Sequence, residues 1–215
     1  MAAKIIDLKT LLLSAAVILA VETCLQWVVW PKSISPVALI GAARVLEALV
    51  LLLLVQLSRP GGMAAIGLRP KSVAAGLKKG LIWSAGFGFL VLLVAVVLYL
   101  SSGVNAFEFM KGGKAHVRGG IWLFLLIGGV VSPITEEIVF RGILYGYFRQ
   151  WGILAAVVGS TLLFVLAHSI QGVFPLTQVV GGIVFAVAYE RERNLLVPIV
   201  IHILGNLAIF SITFF

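Results

Sequence analysis

Residues 120–147 read GIWLFLLIGGVVSPITEEIVFRGILYGY, an apolar run that carries Glu136, Glu137 and Arg141 near its middle. About 20 apolar residues in helical form cross the roughly 30 Å hydrocarbon core of a bilayer. Lipid offers no partner to a free backbone group, so a segment of this kind has to be helical. An ionisable side chain at the bilayer centre costs roughly 2.5–3.5 kcal/mol on insertion scales, and is a functional-site hypothesis by default.

Further apolar runs lie on both sides, at about 10–30, 36–57, 79–100, 152–170, 174–190 and 195–214. The predicted fold is all-α: a polytopic transmembrane helical bundle of about seven spans, with eight as the alternative count, in a single domain over 1–215. The composition agrees. The chain is 61% hydrophobic and 11% charged, with mean hydropathy +1.16, whereas soluble domains are about 45–50% apolar and about 25% charged. The net charge of +8 comes from Lys and Arg spread through short loops. That spread excludes a nucleic-acid-binding face. Cys24 is the one cysteine, so an intrachain disulfide is excluded. Lys4 and Lys9 precede an apolar run reaching to about Trp30. That run is too long for a signal-peptide core and lacks a small-x-small cleavage site, so it is expected to be a retained first span.

Loop charge orients the bundle. Arg59, Arg69, Lys71, Lys78 and Lys79 make the loop after the second span the most basic, and basic loops face the cytoplasm. The N-terminus, the turn at Arg149 and the loop at Arg191 and Arg193 are predicted on that side, in a plasma (inner) membrane. Lys32 and the loop with Lys111, Lys114 and Arg118 are predicted on the other. Part of Arg59–Lys79 is expected to form an interfacial helix.

Three polar stations interrupt the apolar runs. In Ser132-Pro133-Ile134-Thr135-Glu136-Glu137-Ile138-Val139-Phe140-Arg141, Pro133 removes a backbone donor and favours a kink. Glu137 and Arg141 are one turn apart and can pair. Glu136 points about 100° away and lacks that partner. Two adjacent carboxylates in different environments are a route to separate acid and base roles. A plain helix-stapling ion pair accounts for Glu137 and Arg141 but not for Glu136. The second station is Phe164 with His168, and the third is His202 with Asn206, each pair on one helix face. A packing histidine and an interhelical hydrogen-bonding pair are the simpler alternatives. Gly205 is expected to admit a neighbouring helix closely. Counted from the cytoplasmic ends at 1.5 Å per residue, Glu136 and His168 lie about 20 and 24 Å deep, and His202 and Asn206 about 12 and 18 Å. One shared chamber accommodates all four.

A carboxylate and an imidazole converging on a water make a general base. A second imidazole and an amide can stabilise an oxyanion. The competing arrangement is a zinc site in which His168, His202 and Glu136 leave one open position. No H-E-x-x-H helix is present, and no Ser–Lys or Ser–His pair suits a serine protease.

Glu136-Glu137-x-x-x-Arg141, Phe164-x-x-x-His168 and His202-x-x-x-Asn206, in that order along hydrophobic segments, resemble the CPBP family. That family groups the type II CAAX prenyl endopeptidase with bacterial abortive-infection and bacteriocin-processing proteins. The resemblance covers about 120–214, the expected catalytic core, with Gly67-Leu68-Arg69 similar to a polar stretch upstream. It implies an intramembrane endopeptidase acting on peptides or membrane proteins. Glu136 would activate water with help from His168, and His202 and Asn206 would stabilise the oxyanion. Glu137, Arg141 and Phe164 would support the site. The family includes proteins described as metal-dependent and as metal-free; the metal-free form is favoured because Asn206 suits an oxyanion donor. A non-catalytic immunity or scaffold protein and a proton-coupled transporter are the competing functions.

The remaining polar residues are read as structural. Arg44 and Glu47 can neutralise each other within the second span. Glu22 lacks an obvious partner and could line the same cavity. His116 is expected in a solvated loop. Trp27, Trp30, Trp83, Trp122 and Trp151 are expected at the interfaces.

Overall fold

A computed structural model describes residues 6–27, 30–31, 33–105, 120–168 and 175–214. They form a bundle of seven helical segments: α1 (Leu8–Trp27), α2 (Pro36–Ser58), α3 (Val73–Ser102), α4 (Ile121–Trp151), α5 (Ile153–Ala167), α6 (Leu176–Glu192) and α7 (Leu196–Phe214). Five are long and apolar enough to cross a membrane: α1, α2, the run Gly62–Ser102 that contains α3, α4 and α7. The shorter α5 and α6, 15 and 17 residues, both pack within the bundle. Lys32, Lys111, Lys114, His116 and Arg118 lie outside the described residues.

The helix boundaries follow from local chemistry. Asp7 Oδ1 accepts the Thr10 backbone N–H at 2.8 Å and caps α1. Pro36 opens α2, where its missing donor costs nothing. Gly152, at φ 105°, reverses the chain in one residue between α4 and α5. Asn194 Oδ1 accepts the Leu196 N–H at 3.0 Å and starts α7.

One end of the bundle gathers the basic loops. Asp7 pairs with Arg59 at 2.5 Å, and the Ile6 N–H donates to Gly146 O at 3.3 Å. Asn194 Nδ2 donates to Ser72 O at 2.9 Å, and Arg149 pairs with Glu190 at 3.1 Å. The N-terminus, the 59–72 loop, the Arg149 turn and the 193–195 loop therefore share one end. Below it lies the main core, with Ile6, Leu51, Val55, Ile66, Ile138, Ile143 and Tyr145 fully buried. A second, aromatic core of Phe140, Phe164 and Phe185 with Val197 and Ile201 lies deeper, beside the polar stations. The outward faces of α1 and α3 are exposed leucine, valine and phenylalanine, as lipid contact requires.

Four expectations change. The 59–72 segment contains two short 3-10 turns, Gly62–Ile66 and Pro70–Ser72, with no interfacial α-helix. The third helix starts at Val73 and runs 30 residues, about 45 Å, longer than the hydrocarbon core. A Cβ at Gly205 would meet nothing within 4 Å, whereas one at Gly129 would lie 2.5 Å from Leu207 Cδ2. The close helix approach is thus made from α4 and not at Gly205. Finally, Glu22 does have a partner: its carboxylate lies 2.5 Å from Arg44, which also holds Glu47 at 2.6 Å. Length and apolar pattern could not reveal a pairing between two helices.

Candidate active site

The α4 helix is not a regular α-helix. Two π-helical stretches, Ile127–Val131 and Ile138–Leu144, enclose one α-helical stretch, Ser132–Glu137, with Pro133 at its start. Wide turns of this kind are frequent at functional sites. Both glutamates lie at the end of the enclosed stretch.

Glu137 and Arg141 are wholly buried and pair at 2.8 Å. Arg141 also donates to Gly182 O at 3.1 Å. Its guanidinium stacks at 4.7 Å over Phe164 and 5.1 Å over Phe185. An isolated buried charge would be strongly unfavourable; here a carboxylate, a carbonyl and two aromatic faces share it. Glu137 Oε1 has a second partner, His202 Nδ1, at 2.8 Å. The His202 ring stacks on Phe185 at 4.7 Å.

Glu136 faces the other way. Its Oε2 lies 3.5 Å from His168 Nε2 and 3.6 Å from His202 Nε2. That oxygen is buried and has no hydrogen-bond partner among the described residues. His168 follows the last residue of α5, and its Nδ1 donates to Phe164 O at 2.7 Å. The Phe164 ring lies 4.4 Å from the His168 ring and 5.7 Å from the His202 ring. Counted from the basic end, Glu136 and His168 each stand about fifteen residues along their helices, about 22 Å deep.

Glu136, Glu137, Arg141, Phe164, His168 and His202 thus come together. Asn206 stands one turn further along α7, and its Nδ2 donates to Gly128 O at 3.0 Å in the first π-helical stretch. Among the described residues no hydrogen bond joins it to either glutamate. The sequence reading located α6 but missed its contribution to the site, Gly182 and Phe185. The signal for them was a small residue and an aromatic three apart in an apolar run. It also missed the Glu137–His202 link, which needs two helices to be visible.

Both imidazoles are oriented by their Nδ1 bonds. A carbonyl oxygen only accepts, so the His168 Nδ1 carries a proton toward Phe164. The Glu137 carboxylate asks the same of His202 Nδ1. A neutral ring so oriented presents its Nε2 lone pair to Glu136 Oε2, and a protonated ring presents a second N–H there. Three acceptors meeting at one point favour a shared proton, a water or a cation. The donor types match a His₂Glu set. Among the described residues, no three His, Cys, Asp or Glu side chains are grouped at metal-holding spacing.

Residues 118–208 match the family described as Type II CAAX prenyl endopeptidase Rce1-like, and all the residues just described lie inside that span. The segment 118–208 is similar to the Rce1-like family. The Rce1-like segment is also where the similarity to individual proteins falls. The Membrane-embedded CAAX protease MroQ of Staphylococcus aureus (strain USA300) is 32% identical over 91 residues, covering 39% of this chain and 36% of that protein. The Putative membrane peptidase YdiL of Bacillus subtilis (strain 168) is 29% identical over 86 residues, covering 39% and 34%. An Escherichia coli protein, described as Uncharacterized 24.3 kDa protein, is 35% identical over 85 residues, covering 37% and 39%. The chain spans little more than a third of the length of these relatives. No solved structure matches at the same stringency.

Proposed function

We propose that this protein is an intramembrane endopeptidase that hydrolyses a membrane protein or membrane-associated peptide, with its basic end in the cytoplasm. The observation that carries this reading is Glu136 Oε2 standing 3.5 and 3.6 Å from two imidazole Nε2 atoms whose Nδ1 atoms are already engaged. The names of the two relatives described as a CAAX protease and a membrane peptidase support it.

In this mechanism a water lies between Glu136 and His168. Its oxygen bonds to the scissile carbonyl carbon as Glu136 takes one of its protons. The carbonyl π electrons move to oxygen. His202 acts here with hydrogen on both ring nitrogens, its charge balanced by Glu137 at Nδ1, and its Nε2–H donates to the developing oxyanion. Asn206 Nδ2 carries a second hydrogen, beyond the one given to Gly128, for the same task. The C–N bond then breaks with its electron pair on nitrogen, which takes the proton from Glu136. One water is consumed; its second proton passes from the new carboxylic acid to the amine, and a carboxylate and an ammonium leave.

Glu136, His168 and His202 are also the residues that would hold a zinc ion. Zinc would polarise the carbonyl and make a bound water acidic near neutral pH. Elemental analysis of the purified protein, with activity followed through chelation, separates the two forms. Stoichiometric zinc lost in step with activity would establish the metal-dependent one.

The protease reading is tested by comparing membrane and secreted peptides from cells carrying wild type or Glu136→Ala. A peptide pair bounded by a new cleavage site should vanish in the variant, and the purified variant should not restore it. Equal cleavage by purified wild type and Glu136→Ala would remove Glu136 from the chemistry.

A further inference from the structure

Arg44 is a membrane-depth cation that the hydrolytic mechanism does not use. It stands about fifteen residues from Arg59 at the basic end, which puts it at the same depth as Glu136, about 22 Å in. Glu22, on α1, has the same depth. The Thr135 hydroxyl donates to the Arg44 carbonyl at 2.9 Å, so α2 is tied to the residue next to Glu136.

The two carboxylates on Arg44 are not equivalent. Glu47, on the same helix, is held at 2.6 Å and its side chain is 1% exposed. Glu22 is held at 2.5 Å and its side chain is 33% exposed, and the Arg44 side chain is 27% exposed. Two carboxylates share one guanidinium, and Glu47 Oε1 is buried without a hydrogen-bond partner among the described residues. The half of α1 that bears Glu22 is also the looser one. Thr10 and Ser14 are its buried residues, both near the basic end, and Val17 and Ile18 are the furthest to reach the main core. Beyond them, the Glu22–Arg44 pair holds this half of α1 to the bundle.

We propose that Arg44 is a carboxylate-binding subsite of the chamber, and that Glu22 occupies the place a substrate carboxylate takes. The ligand class is a peptide carboxylate, either a free C-terminus or an acidic side chain. On arrival it exchanges with Glu22 on Nη2 of the guanidinium, while Glu47 on Nη1 keeps Arg44 aimed. The same bound carboxylate fixes the register of the peptide against Glu136. The word "substrate" rests on the protease reading; the binding itself does not.

The test uses full-length Glu136→Gln protein in lipid nanodiscs, which keeps any bound peptide intact. The probe is a fluorescent twelve-residue Leu/Ala peptide with a free C-terminal carboxylate, compared with its amide. A second pair is amidated and carries Asp or Asn near the end. Binding is read by anisotropy. A free acid bound about tenfold more tightly than its amide, the scale of one hydrogen bond to a charged group, is the expected result. Preference for Asp over Asn in the amidated pair assigns the carboxylate to a side chain instead. Glu22→Gln should tighten the acid peptide severalfold and leave the amide unchanged. Arg44→Gln should erase the preference and Arg44→Lys should keep part of it, with melting temperatures confirming that each variant is folded. Equal binding of acid and amide and of Asp and Asn, or no binding of any probe, overturns the subsite. So does a Glu22→Gln variant that weakens both peptides equally, which is what a mere helix staple predicts. Cleavage of the probe by wild type but not by Glu136→Ala reports on the protease reading separately.

Discussion

Glu137 and His202, 65 residues apart in the chain, are joined by a 2.8 Å hydrogen bond between buried side chains. The same Glu137 oxygen also receives Arg141 at 2.8 Å. One carboxylate thus fixes the ring orientation of a histidine and neutralises a buried guanidinium. Glu137→Gln keeps the shape and loses the charge. Under the proposed mechanism it should lower turnover by about 10–100-fold, the scale found when a group orienting a histidine is lost. KM should move little. Glu137→Ala should instead leave Arg141 uncompensated and destabilise the fold by about 3–5 kcal/mol. Steady-state kinetics on a reporter cleaved by wild type, with denaturation midpoints, distinguish the two variants.

Phe185 braces His202 from the opposite face, with ring centroids 4.7 Å apart and planes 26° from parallel. Phe185→Leu keeps most of the volume and removes the stack. A loss of about 0.5–1.5 kcal/mol in stability is expected, together with a drop in turnover larger than that of an equally buried aromatic change remote from the site, such as Tyr189→Leu. Equal effects of the two on turnover would show that Phe185 only fills space.

Two glycines separate helix packing from sequence resemblance. Gly129→Ala places a Cβ 2.5 Å from Leu207 Cδ2, one residue from the Asn206 that bonds to Gly128. It should cost about 1–3 kcal/mol through overpacking and lower activity. Gly205→Ala meets nothing within 4 Å and should leave both unchanged. Thermal denaturation in detergent reads the difference, and the reverse order would contradict the packing described.

At the basic end, outside the membrane, the Asp7 carboxyl is held below its ordinary range by Thr10, whose hydroxyl and backbone N–H both bind it, and by Arg59. Because its folded-state value is depressed, the stabilisation is present above the unfolded value of about 4 and is lost as pH falls through the folded one. Local opening of the α1 start should therefore increase below about pH 4. Asp7→Asn should be nearly insensitive over that window. Amide exchange of residues 8–12 measured between pH 5 and 3, corrected for intrinsic rates, checks this.

Much of the fold was legible because lipid imposes simple rules. Segment length and apolar runs located α1, α2, α4, α5, α6 and α7 to within a few residues, and basic loops placed four chain segments at one end. The pairing of Glu137 with Arg141 was legible because it is local, one turn apart. Depth counting allowed His168 and Glu136 to meet, since both helices are measured from the same end. What the pattern could not carry is azimuth between helices. Nothing in the spacing says that Glu137 meets His202, that Phe185 covers that ring, or that Glu22 reaches Arg44. The start of α3 was misplaced for a different reason. Lys78 and Lys79 ended the apolar count, yet they stand on a helix that protrudes past the hydrocarbon boundary, with Lys79 paired to Glu192. Gly205 was misread because a small residue beside a motif signals a neighbour only when another helix faces it.

The two π-helical stretches of α4 have one more consequence. Each wide turn takes up an extra residue, so the helix leaves it with its azimuth advanced relative to an ordinary α-helix. Glu136 and Glu137 sit between two such offsets, and the direction each faces is set by how many residues lie on either side. Removing a single apolar residue from Ile127–Val131 would leave every side chain named in the site intact, and would still turn the carboxylates against their imidazoles. In this helix, residue count is as much a determinant of chemistry as residue identity.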